Sequence, residues 1–335
     1  MNFMAKWGRL SQGERDSAYN NTAHVTDSPV LNAARELASS AFRAANGMHL
    51  DLRYGARERN TWDLFPVSDP DAPCIVFIHG GYWQRNSKEQ FANLIAGPHA
   101  RGWAAALPGY TLAPDASLTE IVAEINAALD WLGAHGPAHG INGPVVLSGW
   151  SAGGHLTAMC LDHPLVKAGL SISGIFELGP VRDTYLNERL RLTEREIVSL
   201  SPMRLPLVDK PLALAYGTAE LPPLMSDSRD LHALRSAAHL PGALIPVPRA
   251  NHFTIVHELR DQDGILTRHL PLLLGYVGLV TTVWAFLRCP HPERSACPII
   301  LIIFPLAGPD PQSGGQRRAG GIHTSVDVEG GLIRP

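Results

Sequence analysis

Val145-Val146-Leu147-Ser148-Gly149-Trp150-Ser151-Ala152-Gly153-Gly154-His155 is the stretch on which the fold turns. An apolar run ends there at a serine boxed by small residues, and a helix-like segment follows. In a G-x-S-x-G pattern the serine sits on a sharp, strained strand-to-helix turn, because side chains at the flanking glycines collide with neighbouring backbone. The spacing predicts a Ser151 hydroxyl pushed into the open. A helix beginning at Ala152 would add a free backbone N–H and a positive dipole end beside it.

With 31 glycines in 335 residues, this pattern can arise by chance, and a plain Gly/Ser turn between two core elements is the alternative. The flanking segments decide between them. Cys74–Ile78 is wholly apolar, as a strand covered on both faces must be, and it runs directly into His79-Gly80-Gly81-Tyr82-Trp83. Ser87–Ala100 reads as helix, Trp103–Leu107 as strand, and Ser117–His135 as an amphipathic helix capped by Ser117 with Glu120 three residues on. Beyond the elbow helix, which runs to about Leu161, strands are expected at Ala168–Ser173, Leu212–Tyr216 and Ala243–Val247, with helices at Ser226–Leu240 and Thr254–His269. Such alternation gives fold class α/β: a mostly parallel, doubly wound sheet with helices on both faces. Phe176–Pro206 is read as a small helical cap over the site.

Upstream, His49–Tyr54 and Thr61–Phe65 alternate apolar with polar and suit an antiparallel edge turned around Gly55. Residues 1–45 are an arm ending in an amphipathic helix, with Leu31, Ala34, Leu37, Ala38 and Phe42 on its packing face. Residues 46–269 form the main domain. From Leu270 to Leu287 the chain is apolar without a charge, at the lower margin for a bilayer span and interrupted by Pro271, Gly275 and Gly278. Residues 270–335 are therefore unassigned, either a membrane-associated extension or a segment with no selected structure.

A composition of 45% hydrophobic and 18% charged residues is that of a globular enzyme-sized chain. The formal charge of −3, without a Lys/Arg cluster interleaved with aromatics, argues against nucleic acid as a partner. Cys74, Cys160, Cys289 and Cys297 are too scattered for a disulfide framework, and Met1–Arg15 lacks an apolar signal core, so a cytoplasmic protein is expected. His135 and His139 flank Gly136-Pro137 and cannot share a helical face, while Cys289, His291 and Cys297 lie in the unassigned tail; neither a metal nor a cofactor is expected. Gly149–Gly154 is no phosphate loop, since no Lys-Ser/Thr follows it.

A serine hydroxyl attacks a carbonyl only when a base takes its proton and a third group holds that base. His252, after the last strand and before the last helix, is the candidate base. For the acid, Glu220, Asp227 and Asp230 all follow the Leu212–Tyr216 strand. Glu220 is preferred because it lies in the loop at the strand's carboxyl end, whereas Asp227 and Asp230 fall inside the next helix and are read as its solvated face. His79-Gly80-Gly81, following an apolar strand, lets backbone N–H groups point inward, so Gly80, Gly81 and Ala152 are the candidate oxyanion donors.

The combination Tyr19-Asn20-Asn21, Leu52-Arg53-Tyr54-Gly55, Asp63-Leu64-Phe65, His79-Gly80-Gly81-Tyr82-Trp83, Tyr110-Thr111-Leu112-Ala113-Pro114 and Gly149–His155 resembles the arylformamidase (kynurenine formamidase) branch of the α/β-hydrolases over roughly residues 14–269. The resemblance implies an α/β-hydrolase fold and hydrolysis of an N-formyl aryl amide, such as N-formylkynurenine, by Ser151, Glu220 and His252 without a metal. Tyr82, Trp83 and Trp150 are then expected to wall an aromatic small-molecule substrate, and Tyr19–Asn21 to approach the site. The branch includes esterases, so a carboxylesterase with the same triad stays open, as does a non-catalytic binding module. A homodimer is compatible with this reading.

Overall fold

Cys74–Ile78, five apolar residues with no solvent exposure above 1%, form the strand against which the rest of the sheet is laid. The computed structural model of the chain describes residues 7–47 and 49–275; from residue 276 on, the unassigned tail and most of the run given a membrane reading lie outside the described residues. Eight strands make one sheet: β1 (His49–Arg53), β2 (Thr61–Phe65), β3 (Cys74–Ile78), β4 (Ala104–Pro108), β5 (Val145–Trp150), β6 (Val166–Ile172), β7 (Leu212–Gly217) and β8 (Leu244–Val247). Their order is β1-β2-β4-β3-β5-β6-β7-β8. The β1/β2 and β2/β4 pairs are antiparallel and every other pair is parallel.

Period-two alternation divides the core between the two faces of the sheet. Cys74, Val76 and Ile78 join Ile121, Ile125 and Leu156 on one side, whereas Ile75 and Phe77 join Phe91, Leu259 and Leu266 on the other. The helix Leu118–His135 opens on the expected capping box, in which the Ser117 side chain accepts from the Glu120 N–H and the Glu120 carboxylate accepts from the Ser117 N–H. Between β3 and β4 the chain runs through a 3-10 helix, Lys88–Ile95, and a short α-helix, Ala96–Ala100. Lys88 is buried there, with Nζ 2.6 Å from the fully buried Asp63 carboxylate.

Several expected boundaries shift. The arm helix runs over Ser28–Asn46, but Leu37 is 75% exposed and Ala34 is exposed too. Its packing side carries Leu31, Arg35, Ala38, Ser39 and Phe42 instead. The neighbouring 3-10 helix explains this: the Arg35 guanidinium lies 4.1 Å over the Phe91 ring, and Ser39 Oγ donates to Asn93 Oδ1 over 2.8 Å. A cation over an aromatic face and a buried hydroxyl-to-amide hydrogen bond serve where apolar contacts were expected. The helix after β7 starts at Pro222, earlier than expected, because consecutive prolines suit a first turn whose N–H groups have no intrahelical acceptor. The last helical region is two helices, His257–Arg260 and Ile265–Leu273, so helix continues past residue 269 into the uncharged run. The 176–206 segment consists of the short helices Gly179–Arg182, Asn187–Leu190 and Glu194–Leu200 and a 3-10 turn, Pro202–Arg204. Among the described residues, no helix is long and apolar enough to cross a membrane.

After β3 the chain moves to β4 on one side, and β5 then pairs on the other side of β3. Such a reversal opens a crevice at the strands' carboxyl ends. Ile78 pairs with Gly149, so the residues that follow β3 and those that follow β5 emerge side by side.

Candidate active site

Ser151 follows β5 directly and precedes the helix Ala152–Met159, with φ 59° and ψ −118°. A non-glycine residue pays for that conformation, and it persists only where the surroundings impose it. The glycines two residues away on either side supply the room. A Cβ on Gly149 would stand 2.3 Å from the Gly153 carbonyl oxygen, and one on Gly153 would stand 2.0 Å from that of Ile78. The Ser151 N–H is held by the Ile172 carbonyl at 2.8 Å.

His252 reaches the serine from the loop after β8. Its Nε2 is 3.1 Å from Ser151 Oγ and its Nδ1 is 2.9 Å from Glu220 Oε2. A carboxylate only accepts, so Nδ1 carries the proton and Nε2 is left to receive one from the serine. Glu220, 4% exposed, lies in the loop after β7. Its other oxygen, Oε1, accepts from the Gly217 N–H and from Ser173 Oγ, both at 2.6 Å. The carboxylate is thereby fixed and its Oε2 edge faces the imidazole.

Asp227 does not lie on a solvated helix face. It is buried, and its Oδ2 accepts from the N–H groups of Phe176 at 2.7 Å and Glu177 at 3.4 Å, fifty residues away where the chain leaves β6. Burial pushes its carboxyl up to about 8 even though those N–H groups pull the other way. Asp230 is exposed on the same helix.

The loop His79–Trp83 is bound on several sides. Its Gly80 carbonyl accepts from both His79 Nδ1 and Asn86 Nδ2, each at 3.0 Å. That carbonyl and the Gly81 N–H belong to one planar trans peptide, so holding the first aims the second the opposite way. Gly81 has φ 124°, and a Cβ on it would stand 2.5 Å from the Arg85 carbonyl oxygen. A Cβ on Gly80 would meet the Ser151 Cβ at 3.0 Å, which measures how closely the loop approaches the serine. Ala152 opens its helix, so its N–H has no intrahelical acceptor. His79 stacks on Tyr110 with ring centroids 4.3 Å apart, and burial lowers its pKa to about 3, so it stays neutral and structural.

A cleft of about 490 Å³, counting the space open to solvent, contains Ser151 and His252. Tyr82, Trp150 and Phe253 wall it, Tyr185 reaches it from the 176–206 segment, and Asn21 reaches it from the arm. Trp83 is not a wall. It is fully buried in the core and packs edge-on to His155 with ring centroids 5.0 Å apart. Tyr82 and Trp83 have consecutive positive φ values of 52° and 56°, and this local coil turns the neighbouring side chains to different sides. Residues not singled out in the sequence also belong here: Arg85 and Asn86, a few residues beyond His79-Gly80-Gly81; Phe253, next to His252; and Tyr185. Adjacency to the motifs could have flagged all but Tyr185, which nothing local marks. Ser173, at the end of the expected Ala168–Ser173 strand, holds Glu220 from beneath. Among the described residues, no group of three or more His, Cys, Asp or Glu is placed to hold a metal ion.

Residues 64–162 match the BD-FAE family model. Kynurenine formamidase of Salmo salar is 30% identical over 244 residues, 68% of this chain and 82% of that protein. Kynurenine formamidase of Danio rerio is 26% identical over 295 residues, covering 81% of this chain and 99% of the relative. A crystal structure from Silicibacter sp. tm1040, described as that of a candidate thioesterase, superposes with a TM-score of 0.67 at 28% identity, over 76% of this chain and 97% of that one. The sheet, the elbow and the crevice at the switch between β3 and β5 make this chain an α/β-hydrolase, and it is a hydrolytic enzyme. Within that class it belongs to the kynurenine formamidase family.

Proposed function

We propose that the chain hydrolyses N-formyl aryl amides of the N-formylkynurenine kind through a formyl-enzyme on Ser151. The observation that carries this is the unbroken series Ser151 Oγ, His252, Glu220, at 3.1 and 2.9 Å, at the base of an aromatic-walled cleft. The names of its relatives point to the same substrate class. Arg85 lines this cleft without an ion-pair partner among the described residues, and no carboxylate lines the cleft with it. That charge pattern suits a substrate carrying a carboxylate.

Ser151 Oγ attacks the formyl carbon while His252 Nε2 takes its proton, and the Glu220 carboxylate stabilises the imidazolium formed. The carbonyl oxygen becomes an oxyanion received by the N–H groups of Gly80, Gly81 and Ala152. Collapse breaks the C–N bond as His252 returns its proton to the leaving amine. Water, deprotonated by the same imidazole, then attacks the formyl ester, releasing formate and restoring the serine hydroxyl.

The test is a panel of aryl formamides and short aryl esters on purified protein, judged by kcat/KM. The reading expects the formamides to be the better substrates, and Ser151→Ala to lose about 10³-fold or more on all of them. Ester turnover without formamide turnover would move the chain to the carboxylesterase reading. Near-native activity in Ser151→Ala would remove the serine from the mechanism.

A further inference from the structure

Asn21 lies among the residues lining the cleft with Ser151 and His252, yet it is only 4% exposed. Its Nδ2 donates to the Tyr82 hydroxyl over 3.0 Å, and that hydroxyl donates to the Tyr19 carbonyl over 2.7 Å. Because a carbonyl only accepts, the Tyr82 proton is committed to Tyr19 and its oxygen is left as the acceptor. The Asn21 amide must therefore present nitrogen to Tyr82. Its Oδ1 is thus fixed in orientation and, though buried, accepts no hydrogen bond within the protein. Of the residues lining this cleft, Asn21 alone carries such an orphaned buried atom among the described residues.

We infer that Asn21 Oδ1 accepts the N–H of the scissile formamide, which makes Asn21 the residue that selects amides over esters. This rests on the formamide reading above. An anilide and an ester of the same acid present the same carbonyl to the serine and differ at the leaving atom, where the formanilide has an N–H and the ester has none. The nitrogen also has to be protonated as the C–N bond breaks, so its developing lone pair must face the His252 imidazolium. An acceptor held on the N–H turns the hydrogen away and leaves the lone pair toward the histidine. Two other amides line the cleft: Asn32 Oδ1 already accepts from Arg35 Nη1 over 2.8 Å, and Asn86, whose Nδ2 donates to Gly80, has no buried oxygen left without a partner; Arg85 offers only donors.

The experiment measures kcat/KM for a formanilide and for the formate ester of the matching phenol, in wild type, Asn21→Leu and Asn21→Asp. Asn21→Leu keeps the volume and removes the acceptor; Asn21→Asp keeps an acceptor oxygen there, with the Tyr82 hydroxyl turned to donate to its second oxygen. Expected is a loss of about tenfold or more on the formanilide in Asn21→Leu, with the ester changed less than about threefold, and retention of the amide preference in Asn21→Asp. Equal losses on both substrates in Asn21→Leu, or an Asn21→Asp that behaves like Asn21→Leu, overturn the inference and leave the formamide reading standing. A wild type that cleaves the ester and not the formanilide overturns both. Should Asn21→Leu fail to fold, wild type decides alone: a preference of about tenfold for formanilide over N-methylformanilide supports the inference, and equal rates overturn it.

Discussion

The indole N–H of Trp150 donates to the main-chain carbonyl of His252 over 2.9 Å, with the two rings 4.8 Å apart between centroids. The residue before the serine thus holds the backbone of the histidine that faces it. β5 and the loop after β8 are far apart in the sheet order, and this bond joins them at the point where a proton would pass. Trp150→Phe keeps the aromatic wall and removes the donor. We expect kcat to fall about tenfold with KM nearly unchanged, because one neutral hydrogen bond is lost and the His252 loop is left less well held. Steady-state kinetics on a formyl anilide measures the split.

The two buried acids should respond in opposite ways to amide substitution. In Glu220→Gln the side chain presented to His252 Nδ1 is neutral, and kcat is expected to drop by about 10²–10⁴-fold. Asp227→Asn changes a group that holds the backbone of Phe176 and Glu177, and activity should stay within about threefold. Rates measured side by side at one pH decide it, and a reversed ranking would transfer the acid's role to Asp227.

Asn86 carries φ 73°, which glycine adopts without strain, so Asn86→Gly removes the amide that holds the Gly80 carbonyl with little backbone penalty. The Gly81 N–H then loses part of its aim. We expect kcat to fall about 10–100-fold, with a smaller change in KM, as for a weakened oxyanion donor. A loss confined to KM would instead place Asn86 in ground-state binding.

Asp227 makes stability depend on pH with a definite sign. Its carboxyl lies near 3.8 when unfolded and is pushed up to about 8 by burial in the native protein, so across that interval the folded state binds the extra proton. The contribution is full below the unfolded value and is lost as pH rises toward 8. Wild type should therefore have a lower denaturation midpoint at pH 9 than at pH 5, and Asp227→Asn, neutral throughout, should narrow that gap. Urea unfolding at both pH values tests this; an unchanged gap would mean that Asp227 is not neutral in the native state at low pH.

What the sequence revealed divides along physical lines. The elbow at Ser151, the glycines after β3 and the meeting of Ser151, Glu220 and His252 were legible because each is encoded locally by steric need or by chain order. Where a side chain's fate depends on a partner far along the chain, local reading failed. Asp227 looked like a solvated helical residue, and the backbone of Phe176 and Glu177 draws it inside. Leu37 fitted an apolar stripe, yet Arg35 and Ser39 take the seam because Phe91 and Asn93 await them. Trp83 shared a motif with Tyr82, and only the left-handed backbone at both residues sends one to the cleft and the other to the core.

The helix Ile265–Leu273 sets where the polypeptide can be shortened. Leu270 has no exposed surface and belongs to the core layer that contains Phe91 and Trp150, with Leu273 and Leu274 packed at its margin. A truncation after His269 would take away a buried leucine worth roughly 1.5–3 kcal/mol and leave that layer wet. A stop codon intended to isolate the catalytic body therefore belongs beyond Gly275, and a protein cut earlier would report the damage to its own foundation rather than the contribution of what was removed.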